Sequence, residues 1–197
     1  MRLCVFCGSS AGISPRYAQA AADFGTSMAR EGISLVYGGG RVGLMGVIAD
    51  AVLGERGEAT GVIPRALVER ELAHDSLSTL HIVDTMHDRK HMMAELADAF
   101  VALPGGAGTL EELFEQWTWA QLGIHGKPCG LLNVDGYFDP LIAMIDRMIG
   151  EGFLHQKYAA ILIHDAGIDR LLAKLKAYQP PLIEKWTSRD AFQTPLP

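Results

Sequence analysis

"FVALPGGAGTLEELFEQWTWAQ", Phe100 to Gln121, reads as a buried strand, a bare turn and a helix in immediate succession. The apolar run stops at Pro104, and Gly105, Gly106 and Gly108 leave the next positions almost without side chains. An acidic and then aromatic helical pattern follows. A strand apolar at consecutive positions is buried on both faces, as in a parallel sheet covered by helices.

The same unit recurs along the chain. Strands are predicted at Leu3–Cys7, Ser34–Tyr37, Ala59–Ile63, Leu80–Val83, Ala99–Leu103, Pro128–Leu132 and Ile161–Ile163. Helical patterns lie between them at Pro15–Glu31, Val42–Arg56, Met86–Ala97, Thr109–Leu122, Phe138–Glu151 and Gly167–Ala177. Strand–helix alternation with right-handed crossovers predicts an α/β fold, a Rossmann-like doubly wound parallel sheet in a three-layer αβα sandwich. The expected organisation is one domain over residues 1–178 and a Pro-rich tail over 179–197. The tail is either disordered or packs Trp186 and Phe192 on the domain or a neighbour.

Composition narrows the function classes. The 197 residues are 49% hydrophobic and 20% charged, enough for a self-sufficient core. A net charge of −6, without a dense Lys/Arg run, disfavours a nucleic-acid partner. No apolar span suits a membrane, and "MRLCVFCGSS" turns polar too early for a signal peptide, so a cytoplasmic protein is expected. Cys4 and Cys7 form a lone C-x-x-C whose thiols point to opposite faces of a strand, which argues against a zinc site.

In a doubly wound sheet, ligands bind beyond the carboxyl ends of the strands. Three loops there are unusually small: "CGSSAG" with Ser9, "GGGRVGLMG" with Gly39 and Gly40, and "PGGAGTLEE" with Gly105 and Gly106. Bare backbone amides followed by a helix N-terminus favour an anion, a phosphate above all. Gly38, Gly40 and Gly43 satisfy G-x-G-x-x-G, but the next strand ends in Pro64-Arg65 where a dinucleotide site needs a carboxylate. A smaller nucleotide or sugar phosphate is the better fit.

Thr109 and Glu112 read as a capping box, with Thr109 as N-cap and Glu112 reaching back to its amide. The alternative is chemical: a carboxylate beside a phosphate cradle can stabilise a cationic sugar and polarise water. The helix dipole is expected to keep Glu112 ionised. In "DTMHDRKHMM", Arg89 suits bidentate phosphate recognition, and Lys90 stands beside it. His87 and His91 share a helical face but lack the H-E-x-x-H glutamate, so no metal is expected.

"PGGAGTLEE", "MHDRKHMM", "CVFCGSS", "LVYGGGRVGLMG" and "WAQLGIHGKPCGLLNVDGYFDPL" together resemble the LONELY GUY (LOG) family over roughly residues 2–165. These proteins are cytokinin riboside 5′-monophosphate phosphoribohydrolases, long mislabelled as lysine decarboxylases. The resemblance implies hydrolysis of the N-glycosidic bond of an N6-substituted AMP, in a homodimer that needs no cofactor. It implies Arg89 and Glu112 as the catalytic pair. Substrate contacts fall on Glu71, Arg89, Lys90, Gly106, Ala107, Gly108, Thr109, Leu110, Glu111, Glu112 and Thr118. A plain AMP nucleosidase and a non-catalytic nucleotide-binding protein stay open as alternatives. A true decarboxylase would need a pyridoxal phosphate lysine, and Lys90 and Lys127 lack a supporting pattern.

Overall fold

The computed structural model describes residues 1–68 and 72–182. Seven strands form a single parallel sheet in the order β4-β3-β2-β1-β5-β6-β7. They are β1 (Arg2–Phe6), β2 (Ser34–Tyr37), β3 (Ala59–Pro64), β4 (Thr79–Val83), β5 (Ala99–Ala102), β6 (Cys129–Leu132) and β7 (Leu162–Asp165). Every predicted strand is present, displaced by no more than a residue or two at its ends.

Helices cover both faces. α1 (Pro15–Arg30), α2 (Gly43–Gly54) and α8 (Ile168–Ala177) lie on one side. The other side carries α4 (Met86–Leu96), α5 (Ala107–Gln121), α6 (Asp139–Gly150) and the short α7 (Gln156–Ala159). A further single turn, α3 (Arg65–Val68), follows β3. Period-two alternation divides the strands between two cores: Leu3, Val5 and Cys7 face the first, Cys4 and Phe6 the second. Cys4, Cys7 and Cys129 are buried free thiols.

Local sequence explains the helix that matters most. Thr85 caps α4, its Oγ1 accepting from the Asp88 amide at 3.1 Å while the Asp88 carboxylate accepts from the Thr85 amide at 3.1 Å. This reciprocal cap fixes the first turn, and Arg89 and Lys90 come directly after it. On the other face, Ala21, Phe24, Gly25 and Met28 form the buried stripe of α1. A Cβ on Gly25 would stand 2.8 Å from the Ile48 carbonyl oxygen, so glycine sets how closely α1 approaches α2.

Strand order fixes where a ligand can enter. From β1 the chain winds outward through β2, β3 and β4, then returns to lay β5 against the opposite edge of β1. The reversal leaves a crevice beyond the carboxyl ends of β1 and β5, into which open the loops holding Ser9 and Gly105–Gly108. Among the described residues no helix is long and apolar enough to cross a membrane. Glu71 and the tail from residue 183, with Trp186 and Phe192, lie outside the described residues.

Candidate active site

A cavity of about 350 Å³ occupies this crevice. Its floor is the end of β1, Val5 to Ser9, and Gly38 after β2; its wall is Arg89 of α4 and Gly106–Thr109, Glu111 and Glu112 of α5. Met45 and Met86 complete the lining. A few converging polar groups on an apolar base are what a small-molecule site requires.

The glycines divide into two kinds. At Gly105 a Cβ would lie 2.1 Å from Thr109 Oγ1 and 2.8 Å from the Gly8 amide nitrogen, so glycine is needed to pack the loop. At Gly38 a Cβ would lie 1.8 Å from Arg89 Nη2, so the absent side chain is the space the guanidinium occupies. Gly106 and Gly108 differ: a Cβ there would meet nothing within 4 Å, and neither has a positive φ. The fold does not ask for glycine at those two cavity-lining positions, whereas a ligand pressed against the backbone would.

The helix begins earlier than the sequence predicts. Gly106 is the N-cap of α5, with no side-chain cap, and Ala107 opens the first turn. Thr109 is buried inside the helix, and Glu112 is an interior helical residue turned toward Arg89. The predicted capping box is therefore corrected: an extended Gly106 with φ −89° does the capping, and both side chains are left for the cavity. The first loop-to-helix bond runs from the Leu110 amide to the Gly106 carbonyl at 3.2 Å. The amides of Ala107, Gly108 and Thr109 precede it and are open to an anion at the positive end of the helix dipole.

Arg89 and Glu112 are each only 9% exposed. Nη2 of Arg89 stands 3.6 Å from Glu112 Oε1, close enough for strong attraction but too long for a good hydrogen bond. The remaining partners of the guanidinium are poor: Nη1 reaches only the Met86 sulfur at 3.7 Å, and Nε is buried without a partner. An arginine so incompletely satisfied at a cavity wall is set up to receive an oxyanion. Burial raises the Glu112 pKa above the ordinary carboxylate range, and Arg89 works against the rise. The dipole expectation of an eased ionisation is corrected in direction, since desolvation outweighs the helix terminus here. Burial and the neighbouring Glu112 push the Cys7 thiol well up, so it is neutral and no nucleophile.

The other sequence candidates fall in distinct places. Ser9 lines the cavity beside Gly106, Ala107, Gly108, Thr109 and Glu111. Gly39 and Gly40 face away, holding residues 72–74: the Gly39 carbonyl accepts from the His74 amide at 2.9 Å, and Gly40 bridges Ala73. Gly105 borders a neighbouring cleft of about 310 Å³ with Tyr17 and Tyr137. Leu110 and Thr118 are not part of the cavity wall, and Thr118 is exposed on α5. Lys90 is also outside the wall, between Glu111 and Glu115. Lys127 donates to the Ala94 carbonyl at 2.7 Å, away from the cavity. Neither lysine named for a pyridoxal linkage thus faces the site. Met45 and Met86 went unread because a methionine next to a motif carries no spacing signal of its own. Among the described residues no group of three or more His, Cys, Asp or Glu converges as a metal site would.

Comparison with known proteins adds to this geometry. The family model described as possible lysine decarboxylase matches residues 45–175. The chain is 49% identical over 192 residues to the cytokinin riboside 5′-monophosphate phosphoribohydrolase LOG1 of Arabidopsis thaliana, covering 98% of this chain and 90% of that one. It is 51% identical over 180 residues to the probable cytokinin riboside 5′-monophosphate phosphoribohydrolase LOGL5 of Oryza sativa subsp. japonica, covering 91% and 73%. Among solved structures it is similar to the molybdenum cofactor carrier protein of Chlamydomonas reinhardtii, with a TM-score of 0.68 and 19% identity over 89% of this chain and 95% of that one. Identity that low speaks for a shared fold alone.

Proposed function

The chain belongs to the LONELY GUY (LOG) family, and from that membership we propose that it hydrolyses the N-glycosidic bond of adenosine 5′-monophosphates, N6-substituted ones included. The products are the free base and ribose 5-phosphate. One observation carries the reading: an under-satisfied buried arginine and a buried carboxylate face each other across a cavity roofed by open helix amides.

The 5′-phosphate docks on the amides of Ala107, Gly108 and Thr109, where the helix terminus and bare backbone accept its charge. The bond from C1′ to the base then breaks, its electron pair leaving into the purine while positive charge grows on the ribose. Glu112 lies beside that carbon, stabilises the cation and orients the water that captures it. Water supplies the hydroxyl to C1′ and a proton to the base, so no cofactor enters the balance. Arg89 holds the anionic part of the substrate and keeps Glu112 in its charged form. A homodimer belongs to the same reading and rests on the family resemblance alone.

The direct test is incubation with AMP and with N6-isopentenyl-AMP, followed by chromatography for free base and ribose 5-phosphate. Release of base from either nucleotide is expected, and the ratio of the two rates gives the base preference. Binding of both with release from neither would leave a nucleotide-binding protein without turnover.

The cradle can be tested separately. Gly108→Ala meets open space and replaces a helix-disfavoured residue with a favoured one, so folding is expected to be unharmed. A methyl group where the phosphate approaches is expected to raise KM for AMP about ten-fold, equivalent to roughly 1.4 kcal/mol of lost binding. An unchanged KM in a folded variant would move the phosphate off this turn.

A further inference from the structure

Lys90 follows Arg89 in sequence, yet it does not line the cavity; its ammonium is held by Glu111, which does, and by Glu115. Its side chain is 9% exposed and lies between two carboxylates of α5, 2.5 Å from Glu111 Oε1 and 3.0 Å from Glu115 Oε1. Glu111 and Glu115 are one helical turn apart on the same face. Glu112 falls between them in sequence, on the side that meets Arg89. The segment therefore brings Glu111, Glu112 and Glu115 close together, and on α4 Arg89 and Lys90 divide the task of opposing them.

We infer that Lys90 is a positioning residue for the hydrolysis: by fixing and neutralising Glu111 and Glu115, it lets Glu112 face Arg89 as an anion. The role rests on the hydrolase reading above. Buried lysines are rarely left unpaired, and this one has both carboxylates in hydrogen-bond reach, holding Glu115 through Oε1 while Oε2 is buried with no partner. Removing the ammonium would leave the half-buried Glu115 carboxylate without its cation and release like-charge repulsion along the helix.

The charged and titratable groups facing Glu112 are few. α4 presents Arg89 and Lys90, α5 itself presents Glu111 and Glu115, and the end of β1 presents the thiols of Cys4 and Cys7, both held neutral by burial. After burial itself, Arg89 and Lys90 ease the ionisation of Glu112, while Glu111 and Glu115 oppose it. Burial pulls the Lys90 pKa down, but the hydrogen bonds it donates to both glutamates outweigh it, and the ammonium stays charged.

The experiment is the pH profile of kcat/KM for AMP in wild type, Lys90→Met, Lys90→Met with Glu115→Gln, and Glu115→Gln alone. In Lys90→Met the acid limb is expected to move up by about one pH unit, a ten-fold loss at a pH on the limb. KM above the limb is expected to change little. The double variant, having lost the lysine and one carboxylate together, should return most of the way to wild type. Glu115→Gln alone should move the limb down, and it provides a reading if Lys90→Met does not fold. A limb unmoved in Lys90→Met, or in Glu115→Gln where the former does not fold, overturns the role. So does a large rise in KM with the limb unmoved, which would make Lys90 a direct phosphate contact. A wild type that releases no base removes the hydrolase reading and this role together, whereas a wild type that turns over with fixed limbs removes only the role.

Discussion

Glu112→Gln is expected to lower kcat by about a hundred-fold or more, while the dissociation constant for AMP changes little. The two side chains have nearly the same shape, so the substitution removes charge without opening a void. On the proposed mechanism it takes away the anion that stabilises the ribosyl cation, which matters in the transition state and hardly at all in the ground state. What it leaves are the open amides of Ala107, Gly108 and Thr109 and the guanidinium of Arg89, the groups proposed to bind the nucleotide. Single-turnover rates beside equilibrium binding separate the two effects. A variant with wild-type kcat would strip Glu112 of any part in the chemistry.

The pH dependence of the wild type follows from the same residue. Burial raises the Glu112 pKa above the ordinary 4.5, with Arg89 opposing. The proposed mechanism uses the ionised form, so kcat/KM is expected to fall with decreasing pH along a limb that lies above the usual glutamate range. Stability runs the other way. A carboxyl whose folded pKa is raised contributes most to folding when protonated, and that contribution declines as pH rises through its unfolded and then its folded pKa. Activity and the local stability of this segment therefore pull in opposite directions, as is common where a charge is buried for chemistry.

Much of the fold was legible in the sequence because its physics is local. Short apolar runs such as "FVAL" cannot be half-exposed strands, and the intervening helical patterns are long enough only for crossovers. The glycine loop at 105–108 was legible for the same reason, since no other residue lies so close to bare backbone. What the sequence misassigned depends on contacts between elements. Thr109 and Glu112 carry the spacing of a capping box, but whether a helix starts at Thr109 or two residues earlier is decided by Gly106 adopting an extended conformation and Thr109 packing under Gly105. The real reciprocal cap, Thr85 with Asp88, carries the same spacing with aspartate in place of glutamate, and that signal was available. The direction of Lys90 was not legible at all. It depends on how α4 crosses α5, which no one-dimensional pattern encodes.

Arg89→Ala is expected to damage both binding and turnover, and its size follows from how the guanidinium is held. It lies over Gly38, at van der Waals distance only because that residue has no Cβ, and spends its charge on Glu112 at 3.6 Å. Truncation removes the proposed partner of the substrate anion, a charge-assisted contact worth about 1.5–3 kcal/mol, or roughly a ten- to hundred-fold rise in the AMP dissociation constant. It also leaves Glu112 buried without its nearest cation. Breaking such a pair from one side costs about 3–5 kcal/mol where the remaining charge cannot escape. Here the carboxyl can take up a proton instead, so the penalty appears as a further rise in its pKa and a lower kcat near neutral pH. The expected signature is therefore specific: weaker AMP binding, slower turnover and an acid limb displaced upward, with part of the rate recovered at alkaline pH. Arg89→Lys keeps the charge and loses the fork, and should recover the limb more than the binding. An AMP dissociation constant unchanged in Arg89→Ala would mean that the guanidinium does not meet the nucleotide, and the cavity between α4 and α5 would then have to be read as something other than its binding site.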